Sequence, residues 1–203
     1  MNKQRMQSLL IVEDDADINR HLCCIMAEEG YEVFAAHNRK EALLANTQPM
    51  LVLLDMCLPP ANNHIGEGLL LLDALLMREP CSKIIVVTGH DEESAAFEAV
   101  RRGAFDFLKK PVPVGEIKSA IKRAALFLHH EIALSTSGET RLHLTVKLSD
   151  GPQECADTVE EKIVRHTLSR TNGNVSEAAR RLGLARENLY YYLKKYGIQP
   201  NRA

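Results

Sequence analysis

Short apolar runs alternate with amphipathic stretches through the first two thirds of the chain. Leu9 to Val12 is apolar without a period and stops at Glu13-Asp14-Asp15, the pattern of a strand buried on both faces that delivers carboxylates to its carboxyl edge. A helix follows from about Ala16 to Glu29, with Ile18, Leu22, Ile25 and Met26 at helical spacing and Gly30 closing it. Tyr31 to Ala36 reads as a second strand and Arg39 to Ala45 as a second helix; Met50 to Leu54 is a third strand running into Asp55. Beyond a loop come a leucine-dense helix from Gly68 to Arg78, a strand from Lys83 to Thr88 and a helix from Glu92 to Arg102. A strand from Phe105 to Lys109 and a long amphipathic helix from Val114 to Leu134 complete the series. Five strands alternating with five helices over short connections predict an α/β fold: a parallel sheet with right-handed crossovers.

The pattern then changes. Ser135 to Thr140 is polar, and Arg141 to Leu148 alternates strictly, with Leu142, Leu144, Val146 and Leu148 on one face. A lone strand of this kind needs a partner for its edges and its apolar face. It either pairs with its counterpart in a second subunit or is a loosely docked linker. Asp157 to Arg170 opens with Thr158-x-x-Glu161, a capping box, and places Val159, Ile163, Val164 and Leu168 on one helix face. After the Asn172-Gly173 turn, helices are expected over Val175 to Leu182 and Arg186 to Tyr196, with Leu184, Leu189 and Leu193 as core. The chain therefore divides into an α/β domain over 8–134, a linker over 135–156 and a small all-α helix-turn-helix domain over 157–203.

Composition changes this picture at two points. The net charge of -2 conceals an asymmetry: residues 1–134 hold 14 Lys+Arg against 19 Asp+Glu, whereas residues 157–203 hold 9 against 5. A basic carboxyl-terminal module suits a polyanion. No apolar run approaches the roughly 20 residues that cross a bilayer, and the first residues lack a signal-peptide core, so a cytoplasmic protein with no membrane partner is expected. The five cysteines include no C-x-x-C pair, which argues against a disulfide framework or a structural zinc site.

The flavodoxin-like strand order 2-1-3-4-5 makes the first and third strands neighbours, so Glu13, Asp14 and Asp55 converge in one crevice, with Thr88 and Lys110 on its rim. Asp55 alone reads more simply as a turn residue or helix cap. As a cluster, three carboxylates repel one another unless a cation intervenes, and a hard ion such as Mg²⁺ fits. The acids, a hydroxyl and an ammonium together make a phosphoryl-sized site with Asp55 as nucleophile.

These residues carry a resemblance. Glu13-Asp14, Asp55 followed by Pro59, Thr88-Gly89 and Lys110-Pro111 resemble, over about residues 8–130, the receiver domain of bacterial two-component response regulators. The resemblance implies that Asp55 accepts phosphate from a partner sensor histidine kinase, in a protein that takes part in its own phosphotransfer and slow dephosphorylation without being an enzyme of the ordinary kind. It implies that Asp14, Asp55 and the backbone carbonyl of Cys57 ligate Mg²⁺, with Glu13 acting through a water, and that Thr88 and Phe107 form the switch pair. Simpler readings stand beside these: Asp15 as a helix cap, Phe107 as a core aromatic, Lys109 as a surface charge. The stretch from Pro59 to Gly68 is about five residues longer than the usual family loop. It is expected to alter phosphate lifetime, as is the side chain of Cys57; His64 within it is either a pocket residue or an idle one. A phosphatase of the haloacid dehalogenase type needs Asp where Cys57 stands.

The run NVSEAARRLGLARENLYYYLKKYGI resembles the Fis-type DNA-binding domain of nitrogen-regulator-like response regulators. That similarity makes Ala185 to Tyr191, including Asn188 and Tyr190, the base-contacting part of a duplex DNA site, with Arg186 placed to read guanine. It assigns Lys194 and Lys195 to phosphates. Tyr190-Tyr191-Tyr192 departs from the often basic residues of relatives, and Tyr192 is a candidate core residue. The competing reading is a three-helix protein-docking module. The large ATPase of many nitrogen regulators is not expected, since the sequence has no G-x-x-x-x-G-K-[ST] loop. Together the resemblances imply a phosphorylation-switched transcription regulator that binds a two-fold symmetric site as a homodimer.

Overall fold

The computed structural model describes residues 7–45, 50–60, 65–89, 93–136, 139–140, 142, 145–146, 149 and 151–199. Strands β1 (Ser8–Val12), β2 (Glu32–Ala36), β3 (Leu51–Asp55), β4 (Lys83–Thr88) and β5 (Asp106–Lys109) form one parallel sheet in the order β2-β1-β3-β4-β5, as expected. Helices α1 (Ala16–Glu28), α2 (Arg39–Leu44), α3 (Gly66–Arg78), α4 (Glu93–Arg102) and α5 (Val114–Thr136) follow the strands in turn.

The aperiodic apolar strands are explained by two helix layers. Leu10, Val12, Val52, Leu54, Ile84 and Val86 pack with Ala42 of α2, Leu71, Leu72 and Leu75 of α3 and Ala99 of α4. Their neighbours Leu9, Ile11, Leu51, Leu53, Ile85 and Val87 pack on the other face with Leu22 and Met26 of α1 and Ile117, Ile121 and Leu128 of α5. Alternate side chains of each central strand thus meet different helices, and neither face is left for polar residues.

The buried face of α1 differs from the expected one. It runs through Asn19, Leu22 and Met26, while Ile18 is 47% exposed. An asparagine can occupy that face because its amide finds backbone partners there, described below.

At the start of α3, a Cβ added to Gly68 would lie 2.5 Å from the Met56 carbonyl oxygen and 2.6 Å from its Cα. Backbone cannot yield as a side chain tip can, so Gly68→Ala is expected to lower stability by about 1–3 kcal/mol. Chemical denaturation measures it, and an unchanged midpoint would contradict the close approach.

By contacts the chain falls into two compact units, one of Met1–Met77 and Cys81–His130, the other of Glu131–Ala203 with Arg78–Pro80. The second holds α6 (Gly151–Arg170), α7 (Val175–Arg181) and α8 (Arg186–Lys195). Val164, Leu168, Val175, Ala178, Ala179, Leu189, Leu193 and Ile198 form its core, with Leu184 and Tyr192 partly buried against it. Asn172 (φ 49) and Gly173 (φ 77) make the left-handed turn before α7, which Asn174 caps by accepting from the Glu177 N–H.

Helix α6 begins six residues before the expected Asp157. Gly151 has φ 83 and Pro152 lies in the first turn, where its missing N–H leaves no bond unmade. Thr158 is consequently mid-helix, with its hydroxyl donating to the Glu154 carbonyl at 3.0 Å, and the expected capping box does not form. Of the expected strand 141–148, Leu142, Thr145 and Val146 are described and lie outside any strand; its other residues are outside the described set. Among the described residues no helix is long and apolar enough to cross a membrane.

Candidate functional site

The sheet register assembles the site. Val12 is paired with Leu54, so the residues that follow, Glu13 and Asp55, emerge side by side at the carboxyl edge. Asp14 joins them: the three residues offer carboxylate oxygens that all lie within 4.8 Å of one another. Glu13, Asp55 and Thr88 are buried, Thr88 as the last residue of the neighbouring β4. The Lys110 N–H donates to the Thr88 carbonyl at 2.7 Å. The Lys110 side chain reaches back, its Nζ 2.7 Å from Asp55 Oδ2 and 3.3 Å from Glu13 Oε2. The second Asp55 oxygen, Oδ1, accepts from the Cys57 N–H at 3.1 Å.

The electrostatics follow from crowding. Burial and then the Asp55 charge push the Glu13 carboxyl up to about 7, against the opposing pull of Lys110. Burial also opposes the charge of Lys110, but the hydrogen bonds and charges of Asp55 and Glu13 outweigh it and raise its pKa. Three carboxylates against one ammonium leave excess negative charge in a poorly solvated place, and an all-oxygen set suits a hard divalent cation.

A cation beside Glu13 favours its charged form, and that carboxyl is pushed up to about 7, so affinity for a divalent cation is expected to rise as pH is raised through that value. In the metal-free chain the Glu13 contribution runs the other way: stability is greatest below the ordinary value of 4.5 and is lost as pH rises through about 7. Calorimetry at several pH values checks the first; flat affinity between about pH 6 and 8 would refute it.

The remaining expectations divide. Asp15 is the cap of α1, its Oδ1 accepting from the Asp17 and Ile18 N–H groups at 2.9 and 3.0 Å. Phe107 is 48% exposed and not a core aromatic. Its neighbour Leu108 takes the inward position on the α1 and α5 side, which turns Phe107 to the opposite face of an edge strand. Lys109 is exposed. Residues 61–64, His64 among them, lie outside the described residues. Two residues that sequence reasoning passed over stand behind the acids: Asn19 and His37 both bond to the Glu13 carbonyl. The signal for Asn19 was present, as a polar residue in register with Leu22 and Met26.

In the second unit, α8 turns Leu189 and Leu193 inward and leaves Arg186, Asn188, Tyr190, Tyr191 and Lys194 exposed, with Ala185 at its amino-terminal cap. The Arg186 guanidinium lies 5.7 Å from the centre of the Tyr190 ring and donates to its hydroxyl at 3.3 Å. Lys195, expected at a phosphate, is exposed and also has partners inside the module. Its Nζ bridges Asp157 at 2.8 Å and Glu160 at 3.0 Å, and these bonds, with Tyr196, raise its pKa. These pairs link α8 to α6.

Residues 9–122 match the response regulator receiver domain family, and residues 156–196 match the bacterial regulatory protein Fis family. The photosynthetic apparatus regulatory protein RegA of Rhodobacter capsulatus is 30% identical over 193 residues, covering 93% of this chain and 91% of that one. Among solved structures, the receiver domain of NtrX from Brucella abortus is 33% identical with a TM-score of 0.53, covering 57% of this chain and 96% of that one. A response regulator from Burkholderia pseudomallei, determined with a phosphorylated aspartic acid, calcium ion and citrate, is 26% identical with a TM-score of 0.50 and covers 91% of this chain and 96% of that one. A receiver match over more than half of the residues, followed by a Fis-type helix-turn-helix, places this chain in the family of two-component response regulators that control transcription.

Proposed function

We propose that Asp55 is the phosphoacceptor, that its donor is a sensor histidine kinase, and that phosphorylation governs dimerisation and DNA binding by the carboxyl-terminal module. The observation that carries this reading is Lys110 Nζ held between Asp55 and Glu13 beside a three-carboxylate cluster. In the transfer an Asp55 oxygen forms the new O–P bond as the N–P bond to the kinase histidine breaks, and the leaving imidazole takes up a proton. Lys110 balances charge on the moving phosphoryl group, and the Cys57 N–H holds the Asp55 carboxylate in a fixed rotamer. Asp14, Asp55 and the Cys57 carbonyl, with Glu13 through a water, would hold Mg²⁺, which supplies further neutralisation of phosphoryl charge. The chain needs no separate catalytic machinery beyond this pocket for phosphorylation and slow hydrolysis. A phosphorylated aspartic acid in the Burkholderia pseudomallei relative supports the assignment.

Thr88 and Phe107 form the switch. Thr88 moves its hydroxyl onto the phosphoryl group, and Phe107, outward in this structure, turns in behind it, shifting the population toward a homodimer. The receiver domain runs over 8–134 and the helix-turn-helix module over 157–203, which α6 extends back to Gly151, with a linker between them. Two Fis-type modules then meet a two-fold symmetric DNA site in the cytoplasm, with Ala185, Arg186, Asn188, Tyr190 and Tyr191 toward the major groove and Lys194 toward phosphate.

The test is a mobility shift on genomic fragments with and without a small-molecule phosphodonor and Mg²⁺, alongside borohydride trapping of the phosphorylated residue. Trapped label at Asp55 with tighter DNA binding is the expected result. Label at another residue, or shifts that ignore the phosphodonor, would overturn it.

A further inference from the structure

We propose that Asn19, assisted by His37, is a positioning residue that pins the main chain of Glu13 and thereby sets where the acids of the pocket stand. The inference rests on the reading above that those acids hold a divalent cation, and concerns side chains that do not touch it.

Asn19 is 1% exposed, on the sheet-facing side of α1. Its Nδ2 donates to two carbonyls, Glu13 O and Ala36 O, each at 3.0 Å. Its Oδ1 accepts from the Cys23 thiol at 3.3 Å. Two carbonyls can only accept and a thiol can donate, so these partners settle which end of the amide faces which way. The Glu13 carbonyl also meets His37 Nδ1 at 3.2 Å, and an oxygen without a proton requires the hydrogen to be on that nitrogen. The Glu13 N–H meanwhile donates to Ala36 O at 3.1 Å. Both polar groups of the Glu13 residue are therefore held from the end of β2.

The holding groups are themselves fixed. The His37 N–H donates to Glu41 Oε2 at 2.8 Å, and Asn38 caps α2 by accepting from the Glu41 N–H at 2.9 Å. On the far side of the acids, Asp15 caps α1. The stretch Glu13–Asp15 is thus clamped at both ends, and the directions of the Glu13 and Asp14 carboxylates follow from it.

Packing alone does not call for an amide here. Leu22 and Met26 on the same face are apolar, and a leucine at position 19 would continue that face with the same branched outline and a somewhat larger volume, leaving the two carbonyls with one donor fewer each. A constellation of charged ligands tolerates only small misplacement before binding falls.

The experiment uses the full-length chain and Mg²⁺ alone, titrated calorimetrically at about pH 8, above the Glu13 value. Asn19→Leu is expected to weaken Mg²⁺ binding by about tenfold. Met26→Ala, a buried change further along the same helix, lowers the melting temperature while leaving Mg²⁺ affinity within about twofold of wild type. His37→Ala, at a half-buried loop position, weakens binding by about two- to fivefold with little change in melting. Asn19→Leu and His37→Ala both binding like wild type would overturn the inference alone, and so would Met26→Ala losing as much affinity as Asn19→Leu. If Asn19→Leu fails to fold, His37→Ala decides. A wild-type protein that takes up no Mg²⁺ overturns the cation reading and this inference with it.

Discussion

Asp55→Asn is expected to carry no phosphate after treatment with a small-molecule phosphodonor and Mg²⁺, and to form no phosphate-dependent dimer, while melting no lower than wild type. The amide matches the carboxylate in shape but is a poor nucleophile, so the O–P bond has no atom to form on. The fold should not suffer. Asp55 is buried, and its charge is one of the causes that push Glu13 up to about 7; removing it relieves the crowding. Lys110 keeps Glu13 as a partner at 3.3 Å. Mass spectrometry of the treated protein and gel filtration read the two outcomes. Undiminished phosphate or dimer in the variant would refute Asp55 as the acceptor.

Arg186→Ala has the second large expected effect: DNA affinity lower by about 1–3 kcal/mol, with discrimination lost at one base pair of each half-site. The guanidinium stands at the first turn of α8, the part of a recognition helix that meets base edges, and Tyr190 holds it by a ring contact and a hydrogen bond. A preorganised arginine loses less freedom on binding. Lys194→Ala should instead weaken binding evenly across sequences and reduce the salt dependence by about one counterion. Lys195→Ala is expected to act differently again, loosening the tie to Asp157 and Glu160 and showing mainly in melting of the module. Fluorescence anisotropy with specific and scrambled duplexes at several salt concentrations separates the three. Equal losses on both duplexes for Arg186→Ala would show that it contacts phosphate only.

Strand order, the convergence of Glu13, Asp14 and Asp55, and the helix-turn-helix were all legible from residues alone. Each rests on short-range or combinatorial physics. Aperiodic runs such as Leu51 to Leu54, too short for a helix and bounded by turn residues, suit central strands, crossovers have one hand, and carboxylates at the ends of adjacent strands meet at one edge. The family patterns named the same residues independently.

Other features depended on partners distant in the chain. Asn19 faces the sheet because Ala36, 17 residues on, offers a carbonyl; helical spacing favoured Ile18 in its place, which is exposed. Phe107 looks outward because Leu108 claims the core, a choice between two apolar neighbours that alternation cannot make at an edge strand. The early start of α6 overrode a sound capping signal at Thr158, since Gly151 and Pro152 open the helix first and a threonine inside it can bond to Glu154. Lys195 has Asp157 and Glu160 beside it, 38 and 35 residues back in the chain. Local propensity and periodicity set which segments become strands and helices; which face, which rotamer and which charge stays unmatched are decided by atoms that only folding brings near.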